Sequence, residues 1–179
     1  MINKKTIDFT KIEWAKIDKE KAEFIYNEAI ARLDSIHRNN DAVTNKAQSM
    51  LSLALPILTA ITGYFVLQWG NLSTPLLFMS VCSAVLLFAI LVLLLLILVP
   101  RGINSAQGEP SAYFSDDYYL NSMENIFKGN IQEVNKYIRE DSGIQIYRAN
   151  LFRAAVIVFA LFPIVAAGVW AVTSAYMQN

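Results

Sequence analysis

The fifteen Lys/Arg and fifteen Asp/Glu residues of this chain all fall in two blocks, 1–46 and 101–153. Residues 47–100 carry no charge, and neither do residues 154–179. A charge at the centre of a membrane helix costs about 2.5–3.5 kcal/mol on insertion scales, so charge-free runs of this length read as membrane spans. About 20 apolar residues cross a hydrocarbon core roughly 30 Å thick. The first run is therefore long enough to cross twice and the second once. The expectation is an all-α integral membrane protein with three transmembrane helices, a tight hairpin plus a C-terminal span, joined to a cytoplasmic helical stalk.

Local signals set the boundaries. Span one is expected from about Leu51 to Trp69, followed by a short uncharged turn at residues 70–74. Pro75 then sits where a helix tolerates a missing N–H, with Ser73 or Thr74 as cap. Span two ends at Val99 before Pro100, Arg101 and Gly102. Span three is expected from about Ala154 to Tyr176. The resulting organisation is 1–46, cytoplasmic amphipathic helix; 47–100, transmembrane hairpin; 101–153, cytoplasmic loop and helix; 154–179, third span and short external tail.

With three spans, every Lys and Arg lies on one side of the membrane, and the positive-inside rule makes that side cytoplasmic. The N-terminal sequence MINKKTIDFTKIEW has no apolar core of signal-peptide length, so insertion is expected to be directed by the spans. Trp69, Trp170 and Tyr176 are expected at the outer interface, where amphipathic rings are favoured.

Residues 11–46 read as one long helix. Ala22, Ile25, Ala29, Leu33, Ile36, Asn40, Val43 and Ala47 advance by threes and fours, close to a heptad seam. At 1.5 Å per residue such a helix stands roughly 50 Å above the membrane. The acid-before-base pairs Glu28 with Arg32 and Asp34 with Arg38 support it at i,i+4. Residues 102–117 read as a loop. Residues 118–141 carry a second stripe: Leu120, Met123, Phe127, Ile131, Val134 and Ile138. Gly129 and Asn130 are expected to weaken this helix, and Ser142 with Gly143 to break it. Two striped helices cannot both leave an apolar face wet, so they pack on each other, on another copy, or on both. The self-association reading makes Ile25, Ala29, Leu33, Ile36 and Val43 an oligomerisation seam.

Small residues recur on helical faces within the spans: Ala60 and Gly63 with Ser52 and Pro56, Ser80 with Ala84, and Ala167 with Ala171 and Ala175. Such faces let helices approach closely in lipid, within or between subunits. Pro56 and Pro163 each remove a backbone hydrogen bond and are expected to bend their helices.

Catalytic, cofactor-binding and metal-binding residues are expected to be absent. No nucleophile stands beside a base and an orienting group. The seven glycines are scattered and form no phosphate loop. The one histidine, His37, lies among charged residues and reads as solvated. Asp116 and Asp117 read as a solvated helix start, favoured by the helix dipole over a cation site. Cys82 is the one cysteine, so there is no disulfide framework. Nine Lys/Arg against eight Asp/Glu in the first block, and six against seven in the second, give no basic patch for a nucleic-acid polymer. Nor do the spans hold the mid-membrane ionisable groups that transporters and selective channels use.

The order of elements resembles the Pycsar transmembrane effector family of bacterial anti-phage defence, with the two-span SLATT-type effectors as a second comparison. The resemblance covers roughly residues 20–176. It rests on EAIARLDSIHRNNDAVTNKAQSMLSLALPIL entering span one, the hairpin ended by Pro100 and Arg101, the loop with Tyr113 and Phe114, and the helix passing through Arg153 and Ala154 into the last span. The family pattern before span one is similar to Asp-x-Lys-Ala; here Thr44 replaces the acid and Lys46 with Ala47 match. The resemblance implies a non-enzymatic effector that oligomerises and disrupts the bacterial inner membrane on activation, an abortive-infection response. Some members carry a cyclic-nucleotide-binding domain, for which this chain has no room. The trigger is therefore expected from a separate sensor or cyclic-nucleotide-producing protein. The alternative function is a membrane-anchoring scaffold or accessory subunit that binds a cytoplasmic partner through its stalk. The expected partners are the lipid bilayer and further copies of the chain.

Overall fold

The computed structural model describes residues 17–68, 72–100, 102 and 122–177, apart from the side chains of Glu124 and Met177. Three helices account for nearly all of this: α1 (Lys19–Leu67), α2 (Thr74–Leu98) and α3 (Met123–Met177). Each is long and apolar enough to cross a membrane. The all-α expectation is thus observed, with three helices long and apolar enough to span. Residues 11–16 of the expected first helix, the loop 103–117, residues 118–121 of the expected second stripe, and Trp69 lie outside the described residues.

The helix ends follow from their capping groups. Ile17 and Asp18 are not helical, so α1 begins later than the sequence periodicity placed it. The reason is Asp18, whose Oδ1 accepts the Lys21 backbone N–H at 2.9 Å, the geometry of an N-cap. Its Oδ2 accepts from Lys21 Nζ at 2.7 Å. These two bonds, the side-chain one foremost, hold the Asp18 carboxyl below its ordinary pKa. Helix α2 starts as expected: Ser73 occupies the N-cap position with extended backbone, and Pro75 follows in the first turn. The Ser73 side chain makes no capping bond. Ser122 heads α3, where its carbonyl accepts the Ile126 N–H at 3.2 Å.

Helix α3 corrects one expectation. It runs unbroken through Gly129, Ser142 and Gly143. A mid-helix glycine costs about 1 kcal/mol relative to alanine. That cost is offset by a buried stripe on both sides of it, since Val134, Asp141, Arg148 and Ala155 are all buried. Their seven-residue spacing is that of a coiled-coil seam. On α1 the same spacing links Leu33, Asn40, Ala47 and Ala54, again all buried. On α2 it links Ser80, Leu87 and Leu94, and beside them Ser83, Ile90 and Ile97. All three helices are therefore read by one heptad rule.

Packing divides the chain into two compact units, at Asn39/Asn40 and Ile144/Gln145. The first unit takes the N-terminal parts of α1 and α3. Ala22, Leu33 and Ile36 of α1 and Ile131 and Val134 of α3 are buried there. The Tyr26 and Phe127 rings meet at 5.8 Å between centroids. The two stripes thus face each other within one chain.

The second unit is a three-helix bundle. Its core is Ala47, Leu87, Ile90, Leu94, Ile97 and Ala155. Partly buried Leu58, Ile61, Phe159 and Phe162 pack against that core. The alanines of α1 and α3 are small, and the Leu and Ile knobs of α2 fill the space they leave.

Candidate functional site

Three features of the structure combine chemistry with placement: a buried polar layer, a carbonyl clamp, and a groove that joins charge to apolar surface.

The buried polar groups Asp141 of the first unit and Asn40 of the second each occupy a heptad position on their own helix. Asp141 is 1% exposed, and its Oδ2 meets His37 Nε2 at 3.0 Å. This overturns the reading of His37 as a solvated residue. His37 follows Ile36 and lies four residues after Leu33, on the flank of the buried stripe, so the ring turns inward to reach the carboxylate. Asn40, one turn further along α1, is 1% exposed, and its Oδ1 has no hydrogen-bond partner among the described residues. A buried unpaired carbonyl costs stability, while a polar residue at a coiled-coil core position fixes register. Nearby on the surface of α3, the Tyr137 hydroxyl donates to the Glu133 carboxylate, which raises the tyrosine pKa.

The clamp lies in the bundle. Arg148 is 6% exposed and donates from Nη2 to the carbonyl of Val99 at 3.0 Å. Val99 is the C-cap of α2. The last carbonyls of a helix lack intrahelical partners and sit at the negative end of its dipole, so a guanidinium there is favoured twice over. Arg148 thereby ties the end of α2 to α3. Its Nε has no hydrogen-bond partner among the described residues.

The groove, of about 430 Å³, also lies in the bundle. Asn45, Lys46 and Ser49 of α1 form its polar end. Met50 and Leu53 of α1, with Phe152, Val156 and Phe159 of α3, line the rest. It begins where the charges stop.

Several hydroxyls of the charge-free stretches are satisfied inside their own helices. Thr59 and Thr62 donate to the carbonyls of Leu55 and Leu58 at 2.9 and 2.8 Å. Thr173 donates to Val169 at 2.7 Å. Such bonds leave these three hydroxyls with no free donor. The surface around them is apolar. Leu53, Val66, Leu67, Val85, Phe88, Ile164 and Val172 are each more than half exposed. Among the described residues, nothing after Ala54 on α1 or after Ala155 on α3 is buried. Contiguous apolar surface of this extent is what lipid or a protein partner covers.

The residues singled out from sequence are distributed as follows. Of the seam, Leu33 and Ile36 are buried within the chain, Ala29 and Val43 are partly buried, and Ile25 is 38% exposed. Of the small residues, Ser80 is buried and Ala84 and Gly63 are partly buried, while Ala60, Ala167 and Ala171 are exposed. A Cβ at Gly63 would meet nothing within 4 Å. Ala60, Ala167 and Ala171 are therefore left largely uncovered by the rest of the described chain. Asp116 and Asp117 lie outside the described residues. Among the described residues, no group of three or more His, Cys, Asp or Glu side chains is placed to hold a metal ion.

Compared with known proteins, the chain matches no family model, and no curated protein and no solved structure shows significant similarity to it.

Proposed function

We propose that the chain is a non-enzymatic membrane effector of bacterial anti-phage defence, seated in the inner membrane with its N-terminus cytoplasmic. On activation it oligomerises and breaks the membrane's integrity. The observation that supports this reading is the outward apolar surface of the bundle, with Ala60, Ala167 and Ala171 exposed on it. In lipid, helices associate through close contact of small faces rather than through hydrophobic transfer, so such faces favour assembly with further copies. The first unit already covers its own stripe, so an assembly of this kind runs through the spans rather than through Leu33 and Ile36. The contact of His37 with Asp141 ties α1 to α3 within the first unit, and a signal acting on that contact shifts the balance between resting and assembled states. The trigger is a separate sensor or a cyclic-nucleotide-producing protein.

The test is controlled overproduction in a bacterial host, with membrane potential and entry of a small membrane-impermeant dye read together. Loss of potential and dye entry at the same time, with growth arrest, is the expected result. Harmless accumulation, with a cytoplasmic protein recovered on the full-length chain, supports the scaffold function instead. A strongly ion-selective current from purified protein in bilayers also argues against the effector reading, because the charge-free spans hold no ionisable group to select ions.

A further inference from the structure

We propose that the groove between α1 and α3 binds one anionic phospholipid, its phosphate at Lys46 and part of one acyl chain along Leu53, Phe152 and Phe159. The proposal rests on the membrane reading above and adds to it a defined ligand site.

Lys46 is the last charge before the first charge-free run. It is exposed, and no ion pair to it is found among the described residues. The groove lining contains no acid. Beside Lys46, the Ser49 hydroxyl already donates to the Asn45 carbonyl at 3.0 Å, so it has only lone pairs left to offer. The donors at the polar end are therefore the Lys46 ammonium and the Asn45 amide. Phosphate oxygens accept from both, and a choline or ethanolamine cation meets only repulsion from the lysine.

The remainder of the lining has the opposite character. From Lys46 to Leu53 the helix advances about 10 Å at 1.5 Å per residue. Over that distance the lining passes from an ammonium group to aliphatic and aromatic side chains. Phe152 and Phe159 stand two turns apart on α3 and are only partly buried. Water in this part of the groove finds no polar partner on the apolar walls. An occupant with a charged head and an apolar tail satisfies both ends at once. The volume of about 430 Å³ is that of an ordinary small-molecule site and admits a head region with a portion of one chain. In the bilayer the polar end falls at the edge of the charge-free run, at the depth of the phosphates.

The full-length protein is reconstituted in nanodiscs holding phosphatidylcholine and phosphatidylglycerol in equal amounts. It is then released into mild detergent, and the lipid it retains is counted by native mass spectrometry. The expected result is retention of one phosphatidylglycerol in preference to phosphatidylcholine. Lys46→Gln should lower that preference about fivefold, the factor one lysine supplies near an anionic surface. Lys136→Gln, the loss of an exposed lysine outside the groove, should leave it unchanged. Val156→Trp, which fills the groove, should release both lipids. Equal retention of the two lipids by the wild type, or an unchanged preference in Lys46→Gln, overturns the proposal. So does displacement of the lipid by millimolar inorganic phosphate, which would make the groove an anion site without a chain. A disulfide-linked dimer formed through a cysteine at Val156, in a Cys82→Ser background, overturns it in favour of a second copy. Carbonate extraction of the same samples separates the two levels. Protein stripped from the membrane refutes the membrane reading; protein that stays inserted without lipid preference refutes the groove alone.

Discussion

The two ends of the three-helix bundle have similar composition and different packing. At the charged end, residues 43–61 of α1, 87–98 of α2 and 151–162 of α3 share one core. Beyond it, residues 62–67 of α1 and 163–176 of α3 have no buried side chain, and α2 contributes only Pro75, Ser80 and Ser83 to the interior of its first half. Hydropathy cannot account for this, because α2 is apolar along its whole length. In water a greasy surface is enough to drive burial. In lipid it is not, and what remains is shape and polar anchoring. The charged end has both: Leu and Ile of α2 set against Ala47 and Ala155, and the guanidinium of Arg148 on the Val99 carbonyl. Among the described residues the far end buries only the three small side chains of α2. The two halves thus differ in what the chain itself covers: the charged end is packed within the chain, and the far end presents an apolar surface.

The comparison is broken most directly on α2. Leu94 is fully buried and Leu95 is 54% exposed. Leu94→Ala should destabilise the folded bundle by about 2–3 kcal/mol, the lower part of the range for buried leucines. The lower part applies because in micelles the side chain leaves one apolar phase for another. Leu95→Ala should stay within about 0.5 kcal/mol, as surface changes do. Reversible unfolding in mixed micelles titrated with a denaturing detergent measures both. Equal costs at the two positions would erase the distinction between an inner and an outer face of α2.

The next largest effect concerns the anchor. Arg148→Met keeps much of the side chain's length and removes its bond to Val99. A hydrogen bond to a charged group contributes about 1.5–3 kcal/mol, and the orphaned carbonyl adds to the loss if it stays dry. The expected result is a destabilisation of about 2 kcal/mol, partly recovered in Arg148→Lys, which keeps the charge but not the planar fork. The same unfolding assay reads it. Unchanged stability in Arg148→Met would mean that shape alone holds the charged end.

These side chains also mark how far the sequence could be read. The three spanning helices and the α2 start at Pro75 were legible because charge, proline and capping residues act locally. The inward turn of His37, the burial of Asp141 and the clamp by Arg148 were not, since each looks like an ordinary solvated charge in its own neighbourhood. Their signal was the register. The three-and-four steps of Val134 and Ile138 land next on Asp141 and, carried past Gly143, on Arg148 and Ala155. Locally Ser142 and Gly143 have the character of a helix stop, yet the helix continues through them. On α2 no register was visible at all, because every face is apolar and only the partner helices decide which one is buried. The groove was illegible for a similar reason: it needs α1 and α3 side by side, and no local pattern in 45–53 or 152–159 announces the other.

The smallest effect on the isolated subunit belongs to the far end, and it is there that the comparison can be sharpened. A Cβ added at Gly63 meets nothing within 4 Å, and Ala171 is exposed. Within one chain, Gly63→Ala should be neutral or stabilising by up to about 1 kcal/mol, because alanine loses less conformational freedom in a helix. Ala171→Leu should be neutral. Both changes nevertheless thicken a face that would let helices of separate copies approach. If the far end is where copies meet, Ala171→Leu and Gly63→Leu should lower the dimer and higher fractions trapped by crosslinking in membranes, with the unfolding midpoint of the dispersed subunit unchanged. If lipid alone covers this end, crosslinking should be the same in wild type and variants. A third outcome would undo the comparison itself: a drop in subunit stability from Ala171→Leu would mean that the far end is packed within the chain after all, and that the two halves of the bundle do the same work.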